Sequence, residues 1–242
     1  MNRTFEKGTL ALDFPRPVFG SPLGLLARAI SLYLRNLPFI AALTLLIFLP
    51  AKAALQVACW AFDVSTKGLL MYALLSASDL VLGSLATPAV IYGLVVAMRG
   101  KGRPPLAEAL RWGRRQWGRT LWNRIKVEVT VSLRLLLLIV PGVIAMIRLM
   151  FTDPVIAIEA DLSGPPLDRS RALAEGHGWR ILFVMLPLAL VELVGSYFVL
   201  GAFTDPAYSR AAIAIVDSLL SAGGQLSTVV VLLMYLGLRD GK

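Results

Sequence analysis

Charged side chains that interrupt apolar runs are the residues best placed to do chemistry in this sequence. A charge at a bilayer centre costs about 2.5–3.5 kcal/mol on insertion scales, so such residues face a bundle interior, pair, or extend to the interface. Counting about 1.5 Å per residue along a helix places three cations and three acids at similar depth in the outer half of the membrane. They are Lys52, Asp79, Arg134, Arg148, Glu192 and Asp217.

These six residues predict an intramembrane polar cluster, for which two interpretations remain open. In the functional one, the cluster forms a polar pathway or a headgroup-binding cavity that opens to the outer half of the bilayer. In the structural one, buried ion pairs lock the helices together, while Lys52 and Arg148 extend toward the interface.

Catalytic chemistry finds little support in the remaining residues. Metal-assisted hydrolysis needs several clustered Asp, Glu or His ligands, and the chain has one histidine, His177, which we interpret as interfacial. Ser170 has Arg169 and Arg171 beside it rather than a base, so we expect it to cap or pack within a short helix. A single cysteine, Cys59, excludes a disulfide framework and a thiolate zinc site. The sequence therefore predicts no enzymatic activity, no metal site and no cofactor.

The composition indicates that lipid surrounds these charges. Of the 242 residues, 57% are hydrophobic and 16% are charged, and the mean hydropathy is +0.73. A soluble domain has about 45–50% apolar and about 25% charged residues. A soluble core of this size could not hide the excess, so the chain is predicted to be one all-α, multi-span integral membrane domain covering residues 1–242.

Six apolar runs have the roughly 20-residue length that a transmembrane helix needs. The run at 143–160 is the weakest, because it contains Arg148, Asp153 and Pro154. If it does not cross, the count is five. The predicted spans follow a polar N-terminal segment, 1–20, and lie at about 37–62, 68–98, 120–140, 143–160, 179–201 and 210–238.

The distribution of cations predicts the orientation. With the N-terminus in the cytoplasm, the inside segments hold 19 of the 24 Lys and Arg residues. An excess of Lys and Arg marks cytoplasmic loops, so both termini are predicted to be cytoplasmic. The net charge of +9 is therefore a topology signal, and we expect no nucleic-acid binding. The inside segments are 1–36, 99–126, 161–180 and 239–242.

Three amphipathic segments between the spans predict short interfacial helices at about 22–35, 105–119 and 166–178. Each begins Pro-Leu and leads into an apolar run. One interpretation is a three-fold repeat of an interfacial helix plus a helical hairpin. The alternative is that cytoplasmic loops of membrane proteins are generally basic and amphipathic. Six residues of the second segment are predicted to contact anionic lipid headgroups: Arg111, Trp112, Arg114, Arg115, Trp117 and Arg119.

The stretch from Ala97 to Leu182 resembles the bacterial membrane-domain family named after glycerophosphoryl diester phosphodiesterases, together with related uncharacterised multi-span inner-membrane proteins. The resemblance implies a location in the bacterial inner membrane. It implies no phosphodiesterase activity, because in that family the activity resides in a separate soluble barrel, for which six spans and three short helices leave no room. The matching residues are Met98-Arg99-Gly100, Pro105–Leu110, Val140–Ile144, Arg148, Asp153–Glu159, Pro166–Leu173, Gly176 and Trp179.

Two functions remain in competition. The first is a non-enzymatic membrane module, such as a scaffold, an assembly factor or an envelope-homeostasis component, with membrane lipids and a protein partner or a second copy as partners. The alternative is a transporter or channel for a lipid or small solute that uses the charged cluster. A polar cavity reaching the middle of the membrane would favour the alternative, and a dry bundle of paired charges would favour the first. An intramembrane lipid phosphodiesterase ranks last.

Overall fold

The structure, a computed structural model, describes residues 21–64, 69–100, 102–159, 164–202 and 206–239. Within these ranges the chain forms eight α-helices and no β-strand, which confirms the all-α prediction. The predicted polar segment 1–20 lies outside the described residues. The helices are α1 (Pro22–Ala61), α2 (Leu69–Met98), α3 (Leu106–Leu137), α4 (Ile139–Leu149), α5 (Thr152–Ile158), α6 (Pro166–Ala174), α7 (Gly178–Ala202) and α8 (Pro206–Arg239).

Five helical segments are long and apolar enough to cross a membrane, which indicates a membrane protein. The weakest predicted span, 143–160, overlaps this set. The predicted span 120–140 is not one of the five segments, because four charged residues interrupt it: Arg124, Lys126, Glu128 and Arg134. The five segments are Pro22–Ala61, Ala73–Met98, Ile139–Ile158, Gly178–Gly195 and Ala214–Arg239.

Two of the three predicted interfacial helices are not separate helices. Residues 22–35 continue into the first span as α1, and residues 105–119 continue as the first half of α3. The change from polar to apolar residues at these boundaries changes the preferred solvent, but it does not interrupt the backbone hydrogen bonds of a helix. The third predicted segment is separate as α6, because the chain turns at Gly176, where φ is +79°, before α7 begins.

Helices α3 and α4 form a tight hairpin that turns at Leu138. This residue is extended (φ −160°, ψ 138°) between the last residue of α3 and the first of α4. The two helices approach most closely at Gly142, where an added Cβ would lie 2.8 Å from the Leu135 Cα. The tip of the hairpin is apolar and exposed, with Leu136 85% accessible. The chain therefore turns three residues before the Pro141-Gly142 pair.

The buried core lies toward one end of the bundle. Residues 86–95 of α2 and 229–232 of α8 are buried throughout, and α5 is buried along most of its length. At the same end, Trp112 of α3 stacks on Tyr92 of α2, with ring centroids 5.5 Å apart. Toward the other end the helices expose large apolar side chains, as expected of a lipid-facing surface: Trp60, Phe62, Leu136, Ile139 and Val191.

Candidate functional site: a buried lysine beside a polar cavity

Lys52 of α1 is the centre of an intramembrane charged cluster. Its side chain is fully buried, and its Nζ lies 2.8 Å from Asp79 Oδ1 of α2. Nζ also donates a hydrogen bond to Asp217 of α8, with which it forms a second ion pair, and another to Ser221 Oγ at 3.1 Å. Lys52 therefore makes two hydrogen bonds to α8 and an ion pair with α2, so both helices hold its ammonium group.

The three charges meet because their helices place them at one depth. Each of Lys52, Asp79 and Asp217 lies about 13–17 Å along its helix from the same end of the bundle. Two carboxylates face one ammonium, which leaves an excess negative charge in this part of the protein. In a low-dielectric medium that excess is costly unless a carboxylate reaches water, a proton or a cation.

Asp79 does reach open space. Its side chain is 46% exposed, and it faces a cavity of about 710 Å³ between α2, α3, α4 and α5. Polar groups line the cavity on the α2, α3 and α5 sides, and apolar residues of α4 complete it. The lining consists of Ser76, Ala77, Asp79, Leu80, Arg124, Val127, Glu128, Leu149, Met150, Thr152 and Asp153.

The far wall of the cavity carries a second ion pair. Arg124 of α3 donates to Asp153 Oδ2 of α5 through Nε (3.0 Å) and Nη2 (2.6 Å). The same Nη2 donates to Thr87 Oγ1 of α2 at 2.7 Å, so the guanidinium ties three helices together. Glu128, one turn beyond Arg124, is exposed on the cavity and forms no ion pair with another described residue. The lining therefore has three acids and one arginine, which favours a ligand with a positive charge.

The other three members of the predicted cluster do not join it. Arg134 and Arg148 are exposed, and neither forms an ion pair with another described residue. Both belong to the α3–α4 hairpin. Glu192 of α7 is exposed and instead accepts a hydrogen bond from Ser227 of α8. The six-residue cluster is thus a three-residue cluster, since equal depth does not ensure that side chains point toward one another.

The predicted headgroup residues divide in the same way. Arg111, Arg114 and Arg115 are exposed on α3, while Arg119 is half-buried. Trp117 is partly exposed, and its Nε1 donates to the Val81 carbonyl oxygen at 3.2 Å. The prediction for Trp112 needs correction: this side chain is 7% exposed and stacks on Tyr92 of α2, on the buried face of α3.

Sequence reasoning missed Arg124, Glu128 and Ser221. Arg124 lies in the predicted inside segment 99–126, and Glu128 lies in the predicted span 120–140. Neither was given a role, because the interfacial helix was expected to end near residue 119. Continuing the buried face of α3 past that point would have found them, since Gln116, Thr120 and Asn123 extend it at helical spacing.

Comparisons of the chain with protein-family models, with characterised proteins and with solved structures find no match. Among the described residues, no group of three or more His, Cys, Asp or Glu side chains could hold a metal ion.

Proposed function

We propose that the protein is a non-enzymatic, multi-pass membrane protein that binds a polar ligand, a lipid headgroup or small solute, in the cavity beside Asp79, and moves it. The observation that carries this proposal is that Asp79 is both half-exposed in the cavity and ion-paired with the fully buried Lys52. A charged group that stays accessible from a cavity at this depth in the membrane is costly in a purely structural bundle, whereas it is useful in a binding site.

The proposal includes six spans with both termini in the cytoplasm, in a bacterial inner membrane. Because α3 and α4 form a hairpin, residues 120–137 share the depth of the apolar segment 139–158, so the two cross together or not at all. Val127 and Leu149 line the cavity with Asp79, and each lies about 16 Å along its helix from the hairpin tip. Asp79 is about 15 Å from the start of α2. The tip is therefore level with the α1–α2 connection, which supports six crossings.

The chemistry of the lining suggests the class of ligand. Asp79 and Glu128 offer carboxylates to a cationic group, and Arg124 offers a guanidinium to a phosphate. The apolar α3–α4 hairpin borders the same space and would accommodate acyl chains. A phospholipid with an amine in its headgroup has all three features, and we take it as the first ligand to test.

A scaffold or assembly module remains the second candidate. The exposed arginines Arg111, Arg114 and Arg115 on one side of α3 favour it, since they suit anionic lipid or an acidic partner. The family resemblance also points there, and the three-fold repeat stays a prediction within it. A second copy of the chain or another protein would then be the partner, and the cavity would be incidental.

The deciding experiment is lipid retention. The full chain, purified in mild detergent from membranes that contain both phosphatidylethanolamine and phosphatidylglycerol, is analysed by native mass spectrometry. We expect a retained amine-bearing lipid, and at least about fivefold less of it in D79N and E128Q. The matched control is E175Q, which removes an exposed carboxylate outside the cavity.

Equal retention by wild type, D79N and E128Q would contradict the cavity proposal. So would a protein complex that co-purifies without any specific lipid, an outcome that favours the scaffold.

A further inference from the structure

The interface between α1 and α8 contains buried polar groups on both sides of Lys52. We call this interface the α1–α8 seam. Gln56 follows Lys52 by one helical turn on α1, and Gln225 follows Ser221 by one turn on α8, so each glutamine shares a helix face with a member of the cluster. The seam consists of Thr44, Lys52, Gln56, Asp217, Ser221 and Gln225.

Three of these buried side chains have polar atoms without a hydrogen-bond partner among the described residues. Gln56 is 3% exposed and Gln225 is 6% exposed, while Thr44 is fully buried. Neither amide atom of Gln56, nor Oε1 of Gln225, nor Oγ1 of Thr44 has a hydrogen-bond partner among the described residues. Buried polar atoms in native proteins are satisfied by protein or by ordered water, and an unsatisfied one is expensive. Orphan atoms concentrated in one seam therefore indicate water between the helices.

The antiparallel arrangement orders these groups along the membrane normal. Tyr33, near the start of α1, donates to the Ala222 carbonyl of α8 at 3.0 Å, while Lys52, nearer the end of α1, contacts the earlier Asp217, so α8 runs back along α1. Gln56 consequently lies on the side of Lys52 toward the α1–α2 connection, and Gln225 on the opposite side. Between Thr44 and Gln56 the file extends about 18 Å.

We propose that the α1–α8 seam binds a file of water molecules that carries protons to Lys52. Within the seam, Lys52 bonds to Asp217 and Ser221. It also pairs with Asp79, whose side chain faces the cavity. Its fully buried ammonium is the group at which the two polar spaces meet. The proposal concerns the seam and holds whether or not the cavity binds a lipid.

The transfer conserves protons at each step. A hydronium ion in the seam gives one proton to the Asp217 carboxylate and becomes water. The Lys52 ammonium gives one proton to the Asp79 carboxylate, and the resulting amine takes the proton from Asp217. Asp79 then releases its proton to water in the cavity, which returns all three side chains to their initial charges.

The test uses the full chain in vesicles of phosphatidylethanolamine and phosphatidylglycerol that contain a pH-sensitive dye. A potassium diffusion potential set by valinomycin drives proton entry. We expect a proton flux above that of empty vesicles, and at least about a fivefold lower flux in the double variant Q56M/Q225M. Methionine has nearly the volume of glutamine without its amide. The control is S218A, because the buried Ser218 hydroxyl is already satisfied by the Ala214 carbonyl of its own helix.

A flux equal to that of empty vesicles would overturn the proposal, and so would a flux that Q56M/Q225M leaves unchanged. Thermal unfolding in detergent gives a second, independent test. If the seam is dry, replacing an orphan amide with methionine removes a penalty and raises Tm. If the seam holds water, Tm stays level or falls, so a higher Tm in both single variants would also overturn the proposal. If the wild-type protein retains no specific lipid but conducts protons as expected, the result counts against lipid binding in the cavity and not against the proton path.

Discussion

The Ser170 hydroxyl of α6 donates a hydrogen bond to the Arg148 carbonyl oxygen of α4 at 2.8 Å. The Ser170 Oγ in turn accepts a hydrogen bond from the Phe151 N–H at 3.1 Å. These two backbone groups flank the break between α4 and α5, where the regular helical ladder is interrupted. One buried hydroxyl therefore satisfies both sides of the break and fixes α6 against it.

Replacing Ser170 with alanine is expected to destabilise the fold by about 1–3 kcal/mol, because it leaves a buried N–H and a carbonyl without their partner. Thermal unfolding of S170A in detergent measures the effect. S31A is the matched control, since Ser31 is exposed on α1. Similar Tm values for S170A and S31A would show that water replaces the hydroxyl at no cost.

Lys52 is expected to be among the most sensitive positions. The substitution K52M leaves Asp79 and Asp217 facing each other without their cation. Breaking a fully buried pair costs about 3–5 kcal/mol, and because both carboxylates are partly exposed we expect a loss at or below the lower end of that range. Removing one acid at the same time should recover part of the loss, so K52M/D217N should be more stable than K52M. Chemical or thermal unfolding of the single and double variants gives the coupling energy directly. A double variant no more stable than K52M would mean that Asp217 does not need its lysine.

Much of the fold could be predicted because hydropathy reports the solvent that a helix prefers. The predicted apolar runs of α2, α7 and α8 agree with the observed segments to within several residues, whereas the first segment begins at Pro22 rather than near residue 37. The breaks between helices were harder to predict, since an interfacial helix was expected to end at about residue 35. In the structure the Asn36 amide donates to the Leu32 carbonyl within a continuous α1. A local polar residue can satisfy the backbone in either case, so the sequence alone does not decide.

The candidate site was predicted in depth but not in direction. Counting residues from the span ends placed Lys52, Asp79 and Asp217 at one level, and they meet there. The same count placed Arg148 at that level, yet its side chain is exposed on the hairpin. Depth follows from the rise per residue, whereas direction depends on how each helix is rotated by packing. Rotation is a tertiary property that no single helix encodes.

Gly113 is predicted to be irreplaceable where α3 crosses α2. A Cβ at this position would lie 2.5 Å from the Leu85 carbonyl oxygen and 2.9 Å from the Ala89 Cβ, so G113A should force the helices apart and cost about 1–3 kcal/mol. Gly118 on the same helix is the control, because no described atom lies within 4 Å of its added Cβ. G118A should be neutral or stabilising by up to about 1 kcal/mol through helix propensity. If both variants unfold at the same temperature, the α2–α3 packing is looser than the structure indicates.

The hairpin tip at Leu138 distinguishes six spans from fewer. In a C59A background, which removes the single native cysteine, single cysteines are introduced as F62C, L138C and E175C. Six crossings place residues 62 and 138 on the outer side and residue 175 in the cytoplasm. We therefore expect a membrane-impermeant maleimide to label F62C and L138C in intact cells, and E175C only after the membrane is opened. The tip is apolar and exposed, so a hairpin that turned back inside the hydrocarbon would leave L138C unlabelled in both conditions, because maleimide chemistry needs a solvated thiolate. That result would leave four crossings and a re-entrant α3–α4 hairpin, and would place Asp79 and Arg124 beside a membrane-embedded loop.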